Sequence, residues 1–170
     1  STHCISSAAS DVYKRQLEKL ANTDALTGLY NERYLSERLK RNGKLRKKFA
    51  MFYLDLDRFK PVNDTYGHEY GDKALSALAS VLYAHSDEQC RRVYRFGGDE
   101  FVMIIDNPHD GEADRIISAV KDELVKCSYD ISIEISSAVG VASGNGSDII
   151  EIVKNADSAM YADKQLYHHR

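Results

Sequence analysis

The stretch Phe49-Ala50-Met51-Phe52-Tyr53-Leu54 is unbroken apolar sequence that runs straight into Asp55-Leu56-Asp57. Such a run suits a buried strand, and a buried strand that stops in acid is an unusual thing to build. Side chains alternate along a strand, so Asp55 and Asp57 share one face, where two carboxylates repel unless a cation or hydrogen-bond donor compensates. A hard divalent metal would do this. Asp-x-Asp alone is a weak signal, and a solvated strand end is the plainer reading, since carboxylates are mostly exposed.

Around this strand the periodicity is helical. Leu75, Leu78, Ala79 and Leu82 form one apolar stripe, Ala113, Ile116, Ile117, Val120 and Leu124 a second, and Ile149, Ile152, Val153, Ala156 and Met160 a third. An earlier helix is expected over Glu32 to Arg41, entered through turn and cap signals at Gly28 and Asn31, and the basic stretch Arg41 to Lys48 reads as a solvated loop. Arg92–Arg95 and Phe101–Ile105 flank Gly97-Gly98 as a hairpin, and Ile131, Ile133 and Ile135 alternate with polar residues as a strand. The order helix, strand, helix, hairpin, helix, strand, helix predicts an α/β (α+β) domain with a mainly antiparallel central sheet of about five strands covered by helices.

Charge and composition narrow the function. Against 26 acidic residues stand 23 Lys and Arg, a net charge of -3, which lacks the basic excess of a nucleic-acid binder. No apolar run approaches the roughly 20 residues needed to cross a bilayer. Residues 1–16 are read as an adapter-derived scar, because Ser6 to Gln16 back-translates to a string similar to a transposase adapter. The domain is then expected over 17–170, with a short linker helix from Leu17 to Asn22 and its natural upstream sequence missing. Cys90 and Cys127 have no C-x-x-C spacing and read as ordinary thiols in a reducing cytosol.

Two further clusters carry chemistry. In Arg95-Phe96-Gly97-Gly98-Asp99-Glu100-Phe101 the glycines are expected to supply the positive φ of a tight hairpin turn, which holds the acids at its tip close to a ligand. In Phe59-Lys60-Pro61-Val62-Asn63-Asp64-Thr65-Tyr66-Gly67-His68-Glu69-Tyr70-Gly71-Asp72 the glycines let backbone amides approach an anion, and Asn63 and Asp72 supply one amide and one carboxylate. Taken singly, Asn63 could equally be a helix cap, Asp72 a first-turn charge and His68 a structural histidine.

Taken together these clusters resemble the GGDEF family of diguanylate cyclases. The resemblance runs from Asp24 to Lys164. It includes Asp24-x-Leu26-Thr27-Gly28-Leu29-x-Asn31, the span from Asp55 to Asp72, the Arg95–Phe101 turn, and Ala156-Asp157-x-Ala159-Met160-Tyr161-x-x-Lys164. It implies a palm-like nucleotidyl-cyclase fold and the condensation of two GTP into cyclic di-GMP and two pyrophosphates. In that reaction the 3′-hydroxyl of one GTP attacks the α-phosphate of the other. It also implies two Mg²⁺ or Mn²⁺ ions per site, held by Asp55, the carbonyl of Leu56 and Asp99, with Glu100 beside metal and ribose. Asp99 or Glu100 would take the hydroxyl proton. By the same resemblance Phe59 and Lys60 offer backbone amides to the distal phosphates and Lys164 a cationic side chain. Asn63 and Asp72 read the guanine edge, His68 belongs to the substrate wall, and the ring of Tyr161 packs. Each copy would hold one GTP, so a homodimer is implied, in the cytoplasm, beneath an unknown N-terminal sensory domain that would carry any membrane attachment.

The chain departs from the family pattern in places. The family usually has x-x-Gly-Arg-Asn after the lysine, but here Lys164-Gln165-Leu166 is followed by Tyr167-His168-His169. A lost charge-assisted contact of this kind costs about 1.5–3 kcal/mol. This loss is the main support for the alternative, a degenerate GGDEF domain that binds GTP as a regulatory module without turnover. Many relatives also carry an inhibitory Arg-x-x-Asp ending five residues before Gly-Gly, where this chain has Glu88-Gln89-Cys90-Arg91.

Overall fold

The structure, a computed structural model, describes residues 2–87 and 89–168, with the side chains of 9–14, 16–87 and 89–166. The apolar run forms β2 (Lys48–Leu56), which pairs antiparallel on one side with β4 (Glu100–Asp106) and on the other with β5 (Ser137–Asn145). β3 (Arg91–Arg95) closes the hairpin with β4, and the two-residue β1 (Tyr30–Asn31) adds in parallel to β3, giving the order β1-β3-β4-β2-β5. Being paired on both edges and covered on both faces, β2 is buried from Phe49 to Leu56, which is why its sequence does not alternate.

Each face of β2 has its own helical layer. Ala50, Phe52, Leu54 and Leu56 pack with α4 (His68–Ala84) and α5 (Glu112–Ile131). Phe49, Met51 and Tyr53 pack with α2 (Glu32–Leu45) and α6 (Ile149–His168), so Asp55 continues the α6 face. α6 lies directly on β5. A Cβ on Gly140 would stand 2.1 Å from both the Ala156 carbonyl oxygen and the Met160 amide nitrogen, so only glycine admits this backbone-on-backbone contact. The contact fixes the height of the last turns of α6 above the sheet.

The elements differ from the sequence expectation in three places. α2 runs on through Gly43 to Leu45, where a loop was expected after Arg41; Arg46 ends it in the left-handed conformation (φ 48). The reason is tertiary: Asn42 is fully buried, and Gly43 sits against the Ile149 side chain. The isoleucine alternation at 131–135 is not a strand. Ile131 ends α5, Ser132 turns the chain (φ 56), and Ile133 and Ile135 are buried plugs on a turn held by the Ser128 hydroxyl, which accepts from the Ile135 amide. The strand is β5, whose small residues leave room for α6. Last, α1 is one continuous helix, Thr2–Asn22, through Gln16 and into the expected linker helix.

Candidate active site

The C-terminal end of β2, the start of β4 and the turn between β3 and β4 bring the acids together. Asp55 and Glu100 are direct cross-strand partners, and Asp99 precedes Glu100 at the tip. The Leu56 amide donates to the Asp99 carbonyl at 3.0 Å and locks the turn onto the end of β2. Asp55 and Asp57 are both buried, so the solvated strand end is ruled out. Asp57 accepts a hydrogen bond from the Ser136 hydroxyl at 2.8 Å through one oxygen, and its other oxygen is buried without a partner.

The electrostatics follow from this crowding. Burial, then the charge of Asp55, raises the Asp99 carboxyl above its ordinary value. Glu100 is raised by burial and by Asp55 and Asp99, against a hydrogen bond from the Tyr53 hydroxyl. Asp57 is raised by burial, with Asp55 adding to it against the Ser136 bond. A cation is paired directly with Asp55. Lys164, from the end of α6, places its ammonium 2.6 Å from Asp55 Oδ1. Burial opposes its charge, but Asp55, Asp99 and Asp57 outweigh that and hold its ammonium above the usual lysine range.

These donors suit a hard divalent cation: carboxylate oxygens at the end of one strand, a second strand's acids opposite, and an orphaned Asp57 oxygen. Among the described residues no three His, Cys, Asp or Glu side chains converge closely enough to hold a metal unaided. A resident ion would therefore draw on other oxygens as well.

Two residues the sequence reading gave no role hold the turn. Arg95 donates to the Gly97 carbonyl (3.2 Å), to the Gly98 carbonyl (2.7 Å) and to Asp24 Oδ1 (3.0 Å). Asp24 also accepts from the Thr27 amide and hydroxyl at 2.9 and 2.7 Å. Although burial works the other way, these bonds from Thr27 and Arg95 hold the Asp24 carboxyl below its ordinary value. The expected positive φ at Gly97 and Gly98 is absent; what shapes the turn is the Arg95 fork, with Gly97 leaving room for the Glu100 carboxylate. The signal available in sequence was the co-occurrence of an isolated Asp before Leu-Thr with an Arg before Gly-Gly.

The remaining residues singled out in the sequence lie on a short helical hairpin that follows β2. Asp57 and Arg58 turn the chain from β2 into α3 (Phe59–Tyr66), with Arg58 left-handed (φ 56), and no side chain caps α3. Phe59 is half-buried and Lys60 exposed at its first turn. Asn63 is not a cap. Its side-chain oxygen is buried with no partner, and it lies against Gly71, where a Cβ would come within 2.0 Å of that oxygen. Gly71 thus seats Asn63 beside the first turns of α4, next to Asp72, which is exposed, as is His68 at the start of that helix. Tyr161 does not pack as expected: the residue is 61% exposed, because Met160 takes the inward position.

At the position of the usual inhibitory motif, Asp87 gathers the amides of Gln89, Cys90 and Arg91 and binds the Arg91 guanidinium at 2.8 Å. Glu88 lies outside the described residues.

A five-stranded, mainly antiparallel sheet between helical layers, with acids where β2 and the β3–β4 turn meet, defines a palm-like nucleotidyl-cyclase class of domain. The chain belongs to the GGDEF family: it matches the family described as "Diguanylate cyclase, GGDEF domain" over residues 21–170. It is 38% identical over 162 residues to the bifunctional diguanylate cyclase/cyclic di-GMP phosphodiesterase MucR of Pseudomonas aeruginosa, covering 88% of this chain and 23% of that protein. Diguanylate cyclase DgcM of Escherichia coli K12 is 33% identical over 161 residues, 89% of this chain and 38% of that protein. The crystal structure of the coiled coil and GGDEF domain of DgcB from Caulobacter crescentus in complex with c-di-GMP superposes with a TM-score of 0.78. Its identity is 25%, over 96% of this chain and 94% of that one. The chain spans well under two thirds of the length of these curated relatives. No described helix is long and apolar enough to cross a membrane.

Proposed function

We propose that this domain is a diguanylate cyclase, which condenses two GTP molecules into cyclic di-GMP with release of two pyrophosphates. The observation that carries the reading is the register match of Asp55 with Glu100, with Asp99 beside them and Lys164 paired with Asp55. Carboxylates so crowded suit a divalent cation, and the family likeness implies two Mg²⁺ or Mn²⁺ per site, which Asp55, Asp99 and the carbonyl of Leu56 would hold. Such ions supply charge stabilisation to the attacking and leaving oxygens of a phosphoryl transfer.

The chain's own residues then divide the work. Asn63, whose buried oxygen has no partner, and Asp72 accept the N–H donors of a guanine edge. Phe59 and Lys60 present the uncapped amides of α3 to the distal phosphates, where Lys164 adds its charge. His68 closes the substrate wall. Asp99 or Glu100 accepts the proton of the 3′-hydroxyl. One domain binds one GTP, so two copies face each other for the chemistry.

Product analysis with equimolar GTP and ATP tests the substrate. Guanine offers two donors to Asp72, while adenine presents an acceptor at N1, so discrimination on the order of 10⁴ is expected. Abundant mixed cyclic GMP-AMP, or an unchanged product ratio in Asp72→Ser, refutes the assignment.

A further inference from the structure

Lys164 does not stand free in the phosphate region. Its ammonium is 2.6 Å from Asp55 Oδ1, with the two side chains 28% and 11% exposed. It is held there by placement as well as by charge. Ala156 and Met160 are buried against the sheet, Gly140 fixes α6 at backbone contact, and Lys164 follows one turn after Met160. Just before it on the same turn, Asp163 is engaged elsewhere, accepting from the Val139 amide at 2.9 Å and from Lys121 at 2.9 Å. The ammonium therefore answers the carboxylates of the site and not its own helix neighbours.

From this geometry we infer that Lys164 is an internal counter-cation for Asp55, which occludes that ligand position until a nucleotide phosphate draws the ammonium away. The inference rests on the reading of Asp55 as a metal ligand. A lysine is a compact charge on a flexible stem, so it can move from carboxylate to phosphate by rotation about its side-chain bonds while α6 stays in place. Metal and nucleotide binding are thereby coupled. Lys164 opposes a divalent cation that arrives alone and favours one that arrives with a polyphosphate, because the polyphosphate supplies the lysine with a new anionic partner as Asp55 is released. The acid cluster stays partly neutralised between turnovers, and free metal is kept from settling in an empty nucleotide site.

The test is Mn²⁺ binding to the nucleotide-free chain, read from the free-ion electron paramagnetic resonance signal. Lys164→Met keeps the apolar stem and removes the charge. It is expected to bind Mn²⁺ about tenfold tighter or more than wild type, the size of one charge-assisted contact removed. The same variant is expected to bind a non-hydrolysable GTP analogue with Mn²⁺ about tenfold more weakly. Lys164→Arg, which retains the cation, is expected to keep the weak metal-only binding. Lys164→Gln serves as a second neutral variant, each checked for wild-type circular dichroism. Unchanged or weaker Mn²⁺ affinity in both neutral variants, with Asp55→Asn abolishing binding, overturns the counter-cation role and leaves the metal site standing. Tight binding by Lys164→Arg also overturns it. Unaltered Mn²⁺ binding in Asp55→Asn overturns the metal reading of Asp55 itself.

Discussion

Removing Arg95 is expected to unfasten the acidic turn, and the coupling should be legible in a double-mutant cycle with Asp24. The guanidinium bonds two turn carbonyls and the Asp24 carboxylate, with side chains 15% and 24% exposed in the ion pair. Charge-assisted bonds of this kind are each worth about 1.5–3 kcal/mol when buried, and partial exposure discounts them. Arg95→Ala should therefore cost about 2–3 kcal/mol in total. For a domain of this size that lowers Tm by about 4–12 °C. The Arg95–Asp24 coupling itself should be about 1–2 kcal/mol. Urea unfolding of wild type, Arg95→Ala, Asp24→Asn and the double variant measures it. The Asp24 carboxyl is held below 3.8 in the fold, so its contribution is present above that pH and is lost as pH falls through the lower folded value. The gap between wild type and Asp24→Asn should therefore narrow below pH 4. Additive single effects, or a gap that does not narrow in acid, refute the clamp.

Three further outcomes follow from the structure. Gly140→Ala should displace α6 and lose several kcal/mol, because its Cβ meets backbone atoms that no rotamer can move; a wild-type melting curve would contradict the contact. Asp99→Asn and Glu100→Gln should each raise the metal-free Tm at neutral pH. Folding raises both carboxyls, so their charged forms destabilise the fold above the folded values, and the gain should fade as pH falls toward 3.8 and 4.5. Added cyclic di-GMP should not inhibit through the position before the turn, since Arg91 is already bound by Asp87; strong non-competitive inhibition would show otherwise.

Much of this was legible in the chain itself. The unbroken apolar run and its terminal acids located β2 and one wall of the site, since burial on both faces leaves a direct imprint on composition. Helical stripes located α4, α5 and α6 for the same reason. What sequence hid was set by tertiary contact. β5 is written in Ser, Ala, Val and Gly because α6 lies on its backbone, so it carries no strong hydrophobic alternation, while Ile131, Ile133 and Ile135 mimic one from a helix end and a turn. The clamp between Asp24 and Arg95 joins residues far apart in sequence, and Lys164 reaches Asp55 only because Gly140 sets the height of α6. Likeness to the family suggested a phosphate contact for Lys164; only the fold places it on an acid.

The central claim is most directly tested by turnover. The chain, fused to a dimerising coiled coil, would be incubated with GTP and Mg²⁺, and the nucleotides separated by chromatography. The account predicts cyclic di-GMP and pyrophosphate from the unmutated domain and no product from an Asp99→Ala variant that keeps its circular dichroism and still melts cooperatively. Full GTP binding without product from the unmutated domain, or wild-type product from Asp99→Ala, would contradict it.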